Sequence, residues 1–444
     1  MPGRLFEAAA YASAPHSPVY WQTTGRAGQA AASLTEEHKA DVVVVGAGYA
    51  GLHCARRLAR AGQQVIVLEA ESPGWGASGR NGGFCCLGGD LRGLESIARR
   101  WGEGDAVHYA RTQREAIAFV DEFLFQAGLA DSRQGHGELC LAHHPRVALG
   151  LAAQADALDR WYGVRAEVLS GEMLAARGMS VAGSYGGLYY PLGFGLQPWD
   201  YVQALAAQAQ QDGVRVYAHS PVLELRRDRG RWVAVTPQGQ VRATRLVIAT
   251  NGYSSEQLPS WMAGRYLPVQ SQIMVTAPLS DAQISAQGFS TDVMCYDSRH
   301  LLHYFRLLPD RRFLFGMRGG FRAGDDAADK RRIRRHWRRL FPAWRDVAVE
   351  YDWSGLLCFN GHGMPFAAAL PGLDNAYGAF GWHGNGVALA SYSGHLLGGA
   401  ILGEKNTLPA VMQLTPQRMP LPAQRRLWLR LGIRLAGLAD ALGR

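Results

Sequence analysis

Residues 41–45 read DVVVV and run directly into Gly46-Ala47-Gly48-Tyr49-Ala50-Gly51, a G-x-G-x-x-G turn. A short β-branched run of this kind suits a strand buried on both faces of a parallel sheet. Residues 52–61 then read as a helix that Gly62 stops, and residues 64–68 as a second strand ending at Glu69. Each part has a mechanical reason. Gly46 makes the tight turn, Gly48 lets backbone approach a pyrophosphate, and Gly51 seats the helix closely on the strand. Free N–H groups at the helix start hold phosphate charge. Glu69 stands where a ribose diol can donate to it. The complete strand–turn–helix–strand–acid unit specifies dinucleotide binding far more strongly than the glycines alone.

Only one such unit is present, which argues against a second dinucleotide docking in a Rossmann unit of its own. Residues 74–83 (GWGASGRNGG) follow Glu69 closely. So much glycine packs poorly as core but exposes backbone donors, which suits close approach to a flat ring and its phosphates. A merely flexible loop would not explain Ser78, Arg80 and Asn81 embedded in it.

The remaining composition narrows the alternatives. With 444 residues and 48% hydrophobic content, the chain can bury a large core in two domains or two interleaved lobes. The net charge of +9 is partly local, in residues 330–339 (KRRIRRHWRR). There Ile333, Trp337 and Leu340 fall at helical spacing, so the arginines read as the wet face of an amphipathic helix, not as a nucleic-acid patch. The six cysteines include no CxxC pair, so no metal site is expected and reduced thiols are. Adjacent Cys85 and Cys86 read as buried small residues, because neighbouring cysteines rarely close an unstrained bridge. No run of 18 apolar residues occurs, and the opening residues lack the apolar stretch of a signal peptide. A cytoplasmic protein without stable membrane insertion is therefore expected.

The stretches 49–52 (YAGL) and 76–83 (GASGRNGG) resemble the D-amino-acid-oxidase superfamily of FAD-dependent oxidoreductases, and within it the gamma-glutamylputrescine oxidoreductases. The likeness continues through 195–198 (GLQP), 245–253 (RLVIATNGY), Tyr304-Phe305-Arg306, 381–389 (GWHGNGVAL) and 419–422 (MPLP). The order and spacing of these segments, more than any one of them, carry the resemblance.

The resemblance implies a mixed α/β fold in which a Rossmann-like FAD-binding domain is interleaved with a substrate lobe on a mostly antiparallel sheet. The expected division is an N-terminal extension over 1–40, an FAD domain from 41–90, 188–253 and 353–404, a substrate lobe from 91–187 and 254–352, and a tail over 405–444. The implied FAD contacts are Gly46, Gly48, Gly51, Glu69, Ala77, Ser78, Asn81, Gly82, Val222, Thr250, Gly384, Asn385, Gly386 and Val387. FAD is expected to be non-covalent, since the offset of Cys358 from Trp353 and Pro365 does not match the tethering cysteine of some relatives.

The implied activity is oxidation of a C–N bond in a small amine or amino acid, such as a gamma-glutamyl polyamine. Hydride passes to flavin N5, and the resulting imine hydrolyses. Arg80, Asn81 and His383 are the candidate catalytic residues. An unperturbed imidazole pKa near ~6.5 would let His383 relay a proton, although a histidine bonded to backbone is an equally good reading. Tyr189, Tyr190 and Tyr304 are candidates for the substrate cavity, or plain core.

Two departures from the family pattern bear on the electron acceptor. Asn385 stands where a histidine is usual. Leu314 and Ala388 stand where the sarcosine-oxidase branch has lysines, one associated with oxygen reactivity and one with substrate carboxylate. Oxygen is the expected acceptor, with a dehydrogenase passing electrons to a quinone or carrier protein as the alternative. Residues 427–442 (LWLRLGIRLAGLADAL) read as a tail helix docked on the FAD domain with arginines reaching to water. Gly432 and Gly437 weaken it as an autonomous interfacial helix.

Overall fold

The computed structural model describes residues 3–11, 18–320, 327–405 and 408–443. The expected N-terminal extension and C-terminal tail lie partly outside those described residues. The valine run becomes the strand Glu37–Val45, with Val42, Val43 and Val44 fully buried. It pairs in parallel with Gln240–Ile248 on one side and Val65–Leu68 on the other. Arg215–Tyr217 extends the parallel sheet beyond Val65–Leu68, and Ala376–Phe380 extends it beyond Gln240–Ile248. Side chains alternate between two cores. Val42 and Val44 face the helices Tyr49–Arg60, Pro198–Gln211 and Gly386–Ile401, whereas Val43 and Val45 meet Trp232, Trp261 and Phe366. A strand covered on both faces cannot alternate polar and apolar residues, which is why it reads as unbroken valine.

The second sheet has eight strands in the order Val349–Asn360, Tyr266–Thr276, Phe313–Gly320, His303–Leu307, Met294–Asp297, Glu138–Leu141, Gly187–Tyr190 and Glu167–Leu169. Its pairings are antiparallel except that of Met294–Asp297 with Glu138–Leu141. The basic segment forms the helix Ala327–Leu340, with Ile333, Trp337 and Leu340 buried as the spacing predicts. Lys330 and Arg334 pair with Asp352 at the end of this face.

Sheet membership differs from the expected divisions in two places. Gly187–Tyr190 and Val349–Asn360 belong to the second sheet, so divisions at 188 and 353 cut through its strands. The segment before residue 41 is also more than an extension. Trp21 is buried and its Nε1 donates to the Asn81 carbonyl at 2.8 Å, while Ser220 Oγ accepts from the Leu34 amide at 2.8 Å.

Glycine sets how tightly the two halves of the chain meet. A Cβ at Gly51 would lie 2.0 Å from the Gly46 carbonyl oxygen, and one at Gly394 would lie 2.2 Å from that of Ala50. The first brings the helix Tyr49–Arg60 onto its own turn; the second brings Gly386–Ile401 onto that helix. Close-packed interiors do not absorb an added methyl group at such distances. Gly394→Val is therefore expected to lower unfolding stability by about 1–3 kcal/mol or more, read from denaturant unfolding of the FAD-bound protein.

Candidate active site

One cavity of about 460 Å³ runs from the glycine turn to the second sheet. At its nucleotide end Gly46 has φ +107°, a conformation that suits glycine. The Glu69 carboxylate accepts from the Ala47 amide at 2.7 Å and from the Glu71 amide at 3.1 Å. It thus ties the second strand to the turn, and burial raises its pKa against those hydrogen bonds. Ser78 Oγ accepts from the Tyr49 amide at 3.1 Å, and a Cβ at Gly48 would meet that oxygen at 2.8 Å. Of the implied FAD contacts, all but Gly51 line this cavity. Gly51 acts one layer behind, through packing.

Asn81 is occupied within the loop. Its Nδ2 donates to the carbonyls of Ala77 at 3.1 Å and Ser78 at 2.8 Å, and its Oδ1 accepts from the Gly83 amide at 2.8 Å. Arg80 lies over the Trp75 ring at 4.4 Å, and its Nε donates to the Trp75 carbonyl at 2.7 Å. Arg80 Nη2 is buried on the cavity wall with no hydrogen-bond partner among the described residues. An orphaned buried donor costs roughly 1–3 kcal/mol, so this one calls for an acceptor from a bound group.

On the opposite wall, Trp382, Gly384, Asn385, Gly386 and Val387 present the start of the helix Gly386–Ile401. Asn385 Nδ2 donates to the Leu87 carbonyl at 2.8 Å, so this asparagine also fastens the motif to the segment after the glycine loop. His383 does not line the cavity. Its Nδ1 meets the Gly89 carbonyl at 2.8 Å, its Nε2 accepts from the Asn360 amide at 3.4 Å, and burial pulls its pKa down to about 4. A neutral ring held on both nitrogens by backbone braces the motif, and a proton relay at the substrate has no path through it.

The far end of the cavity carries charge that the sequence reading did not single out. Glu138 is buried on its wall, where the hydroxyl of Tyr190 donates to its Oε2. Burial lifts its pKa to about 7, against the lowering effects of Tyr190 and Cys86. Arg318 lines the same end, its guanidinium packed beside Gly384 and without a hydrogen bond or ion pair among the described residues, while its backbone amide donates to the Leu302 carbonyl at 3.3 Å. Burial lowers its pKa, with Tyr304 and Cys86 opposing. Tyr304 lines the cavity too, its hydroxyl 3.0 Å from Ser271 Oγ. Tyr189 does not line it; its hydroxyl donates to the His136 carbonyl at 3.2 Å. Arg4, from the opening residues, reaches the nucleotide end over the Tyr11 ring at 4.2 Å.

Leu314 is fully buried in the core away from this wall, so the cation its strand offers to the cavity is Arg318, four residues on. Only three of the 46 basic residues are lysines (Lys39, Lys330 and Lys405), and none lines the cavity. All six cysteines are free and buried; Cys358 and Cys86 contribute to the wall. Among the described residues, no group of three or more His, Cys, Asp or Glu side chains is arranged to hold a metal ion.

A parallel sheet with a glycine turn opening on a cavity shared with a second, mostly antiparallel sheet defines a dinucleotide-binding oxidoreductase architecture. The sequence pattern of the DAO family, described as FAD-dependent oxidoreductases, matches residues 41–399, and the chain belongs to that family. It is 30% identical to a probable oxidoreductase OrdL of Haemophilus influenzae, covering 84% of this chain and 86% of the relative. It is 28% identical to a gamma-glutamylputrescine oxidoreductase of Escherichia coli, covering 96% and 99%. Among solved structures, glycine oxidase from Geobacillus kaustophilus superposes with a TM-score of 0.72 at 20% identity, covering 86% of this chain and 99% of that one. The chain is thus an FAD-dependent oxidoreductase. The glycine cradle, Ser78 and the orphaned Arg80 donor fit the group that this family binds.

Two expectations test this wall. Gly48→Val, which forces a side chain onto Ser78, is expected to yield mostly colourless protein by visible absorbance. Glu138 supplies the other. In the unfolded chain it ionises above about pH 4.5, whereas folded it stays protonated to about 7. It therefore withdraws stability as pH climbs from about 4.5 to 7 and by a constant amount above that. Glu138→Gln should leave stability unchanged at pH 4 and raise it by up to ~3 kcal/mol at pH 8, compared by thermal unfolding across pH.

Proposed function

We propose that the enzyme oxidises the C–N bond of a small amine that also carries a carboxylate, a gamma-glutamyl polyamine being the model substrate. The supporting observation is the single cavity whose nucleotide end meets the glycine turn and whose far end holds Arg318 and Glu138. FAD, which the glycine turn, Ser78 and Arg80 would hold non-covalently, would supply the electron sink for the oxidation. The chain's own residues do the rest. Arg318, in no ion pair among the described residues, takes the substrate carboxylate, a charge-assisted pairing that also fixes direction. Glu138, poised near neutrality, takes the proton of the substrate ammonium and leaves the free amine that the reaction requires. Tyr190 steadies the Glu138 carboxylate that receives this proton by donating to its Oε2. Tyr304 and Trp382 close the sides and exclude water. Arg80 and Asn81 act at the cofactor, Arg80 by supplying its unpaired donor and Asn81 by holding the loop. His383 positions the C-terminal motif. The imine leaves to be hydrolysed to a carbonyl compound and ammonia, or an amine where the oxidised nitrogen carries a second carbon.

Oxygen is the acceptor in this reading, with hydrogen peroxide as the second product. The absence of lysine from the cavity wall favours a second reading, in which a quinone or a carrier protein takes the electrons. Mixing reduced enzyme with air-saturated buffer, and separately with a quinone analogue, divides the two.

Anaerobic bleaching of the FAD absorbance by a panel of gamma-glutamyl polyamines, free polyamines and amino acids tests the substrate. The expected result is fast bleaching by carboxylate-bearing amines, at a rate that rises with pH as the ammonium deprotonates. In Arg318→Gln their KM should rise by roughly a hundredfold, with little change for amines that lack the carboxylate. Equal losses for both groups of amines would remove Arg318 from the site.

A further inference from the structure

The C-terminal helix Arg425–Leu442 is fastened along one edge and unpartnered along the other. Arg425 is 2% exposed; it pairs with Glu256 and donates to the Tyr266 carbonyl at 2.8 Å. Ile433 is buried beside Gly319, and Asp440 accepts from the amides of His300 at 2.7 Å and Leu301 at 3.2 Å. The helix thus docks against elements of the second sheet, and not on the FAD domain as its sequence suggested. Its outward side is apolar. Leu427, Trp428, Leu431, Leu435, Leu438 and Leu442 are each between 45% and 63% exposed. Their spacing places them in one stripe roughly 100° wide.

Beside the stripe stand Arg430 and Arg434, both exposed and neither in an ion pair among the described residues. The only acid of the helix, Asp440, is buried on the docked edge. We infer that this face is a peripheral membrane-binding surface, which lays the leucines and Trp428 into the headgroup boundary of an anionic bilayer with the two arginines at the phosphates. A leucine stripe flanked by uncompensated arginine, with an aromatic at its margin, matches the chemistry of that boundary. The overall charge of +9 adds attraction to the same surface. The spacing Trp428, Leu431, Leu435, Leu438, Leu442 also suits pairing with a second copy. Such a pair would bring arginine near arginine with no acid on the outward face to answer it, which favours lipid.

No helix among the described residues is long and apolar enough to cross a membrane, so the binding is interfacial. The surface is independent of the substrate proposal, because no residue of the stripe lines the cavity.

Flotation of the FAD-bound full chain with vesicles of phosphatidylcholine plus phosphatidylglycerol, and with phosphatidylcholine alone, tests it. Binding to the anionic vesicles is expected, weakened by salt. It should weaken by roughly tenfold or more in Leu431→Gln/Leu435→Gln and in Arg430→Gln/Arg434→Gln. Both variants should keep FAD and the wild-type rate with a soluble acceptor, which shows that the fold is intact. Failure to float with anionic vesicles, equal binding to both vesicle types, or undiminished binding by the leucine variant overturns the inference. A wild-type dimer that the leucine variant splits into monomers assigns the stripe to a second copy and overturns it as well.

Discussion

The seating of one helix, Tyr49–Arg60, between two carbonyl contacts governs the arrangement of everything around it. On one side Gly51 lies against the Gly46 carbonyl; on the other Gly394 lies against that of Ala50. Neither contact tolerates a side chain, and together they bind the first nucleotide turn to a helix more than three hundred residues later. The cofactor wall exists because those two parts of the chain are held at backbone distance. Trp21, Asn81 and Asn385 then lock the loops that enter from either side. Their hydrogen bonds stay inside the protein, so the wall is organised before any ligand arrives.

The cavity divides its labour by dielectric and by charge. At the nucleotide end most partners are backbone amides and glycine surface, with Glu69 spending its carboxylate on the turn itself. At the far end ionisable side chains return, but in a setting that penalises their charges. Burial lifts the pKa of Glu138 to about 7, and the Arg318 guanidinium has no hydrogen-bond or ion-pair partner among the described residues. Charged groups kept short of compensation are poised to exchange it with a ligand, and perturbed groups of this kind concentrate at working sites. The tyrosines around them provide hydroxyls without adding further charge.

How much of this was legible depended on distance along the chain. The turn, the helix and Glu69 fall within one short stretch, so local periodicity and glycine placement revealed them together. The residues of the substrate wall come from strands remote from that stretch, and sequence spacing carries no register between such strands. A signal did exist. Glu138 opens an otherwise apolar strand, ELCL, and Arg318 interrupts another, FLFGMRGG. A charge inside a strand buried on both faces is costly enough to need a purpose. Family likeness points instead to Leu314, on the strand that supplies Arg318, and to His383, which the backbone holds outside the cavity. The lobe boundaries eluded the sequence for a related reason: Gly187–Tyr190 and Val349–Asn360 read as strands, but nothing local says which sheet takes them.

The order of pairing in the parallel sheet has a consequence for how the protein is made. Glu37–Val45 leaves the ribosome well ahead of its neighbour Gln240–Ile248, which follows about two hundred residues later, and the strand beyond that comes only at Ala376–Phe380. Until Gln240–Ile248 is made, the valine run has a bare edge, which is the kind of surface that recruits other chains. Contacts of such long sequence separation also slow the final collapse. The nascent chain must therefore shelter that edge, by chaperones or by rapid provisional packing of the strand against Val65–Leu68, until Gln240–Ile248 has been made.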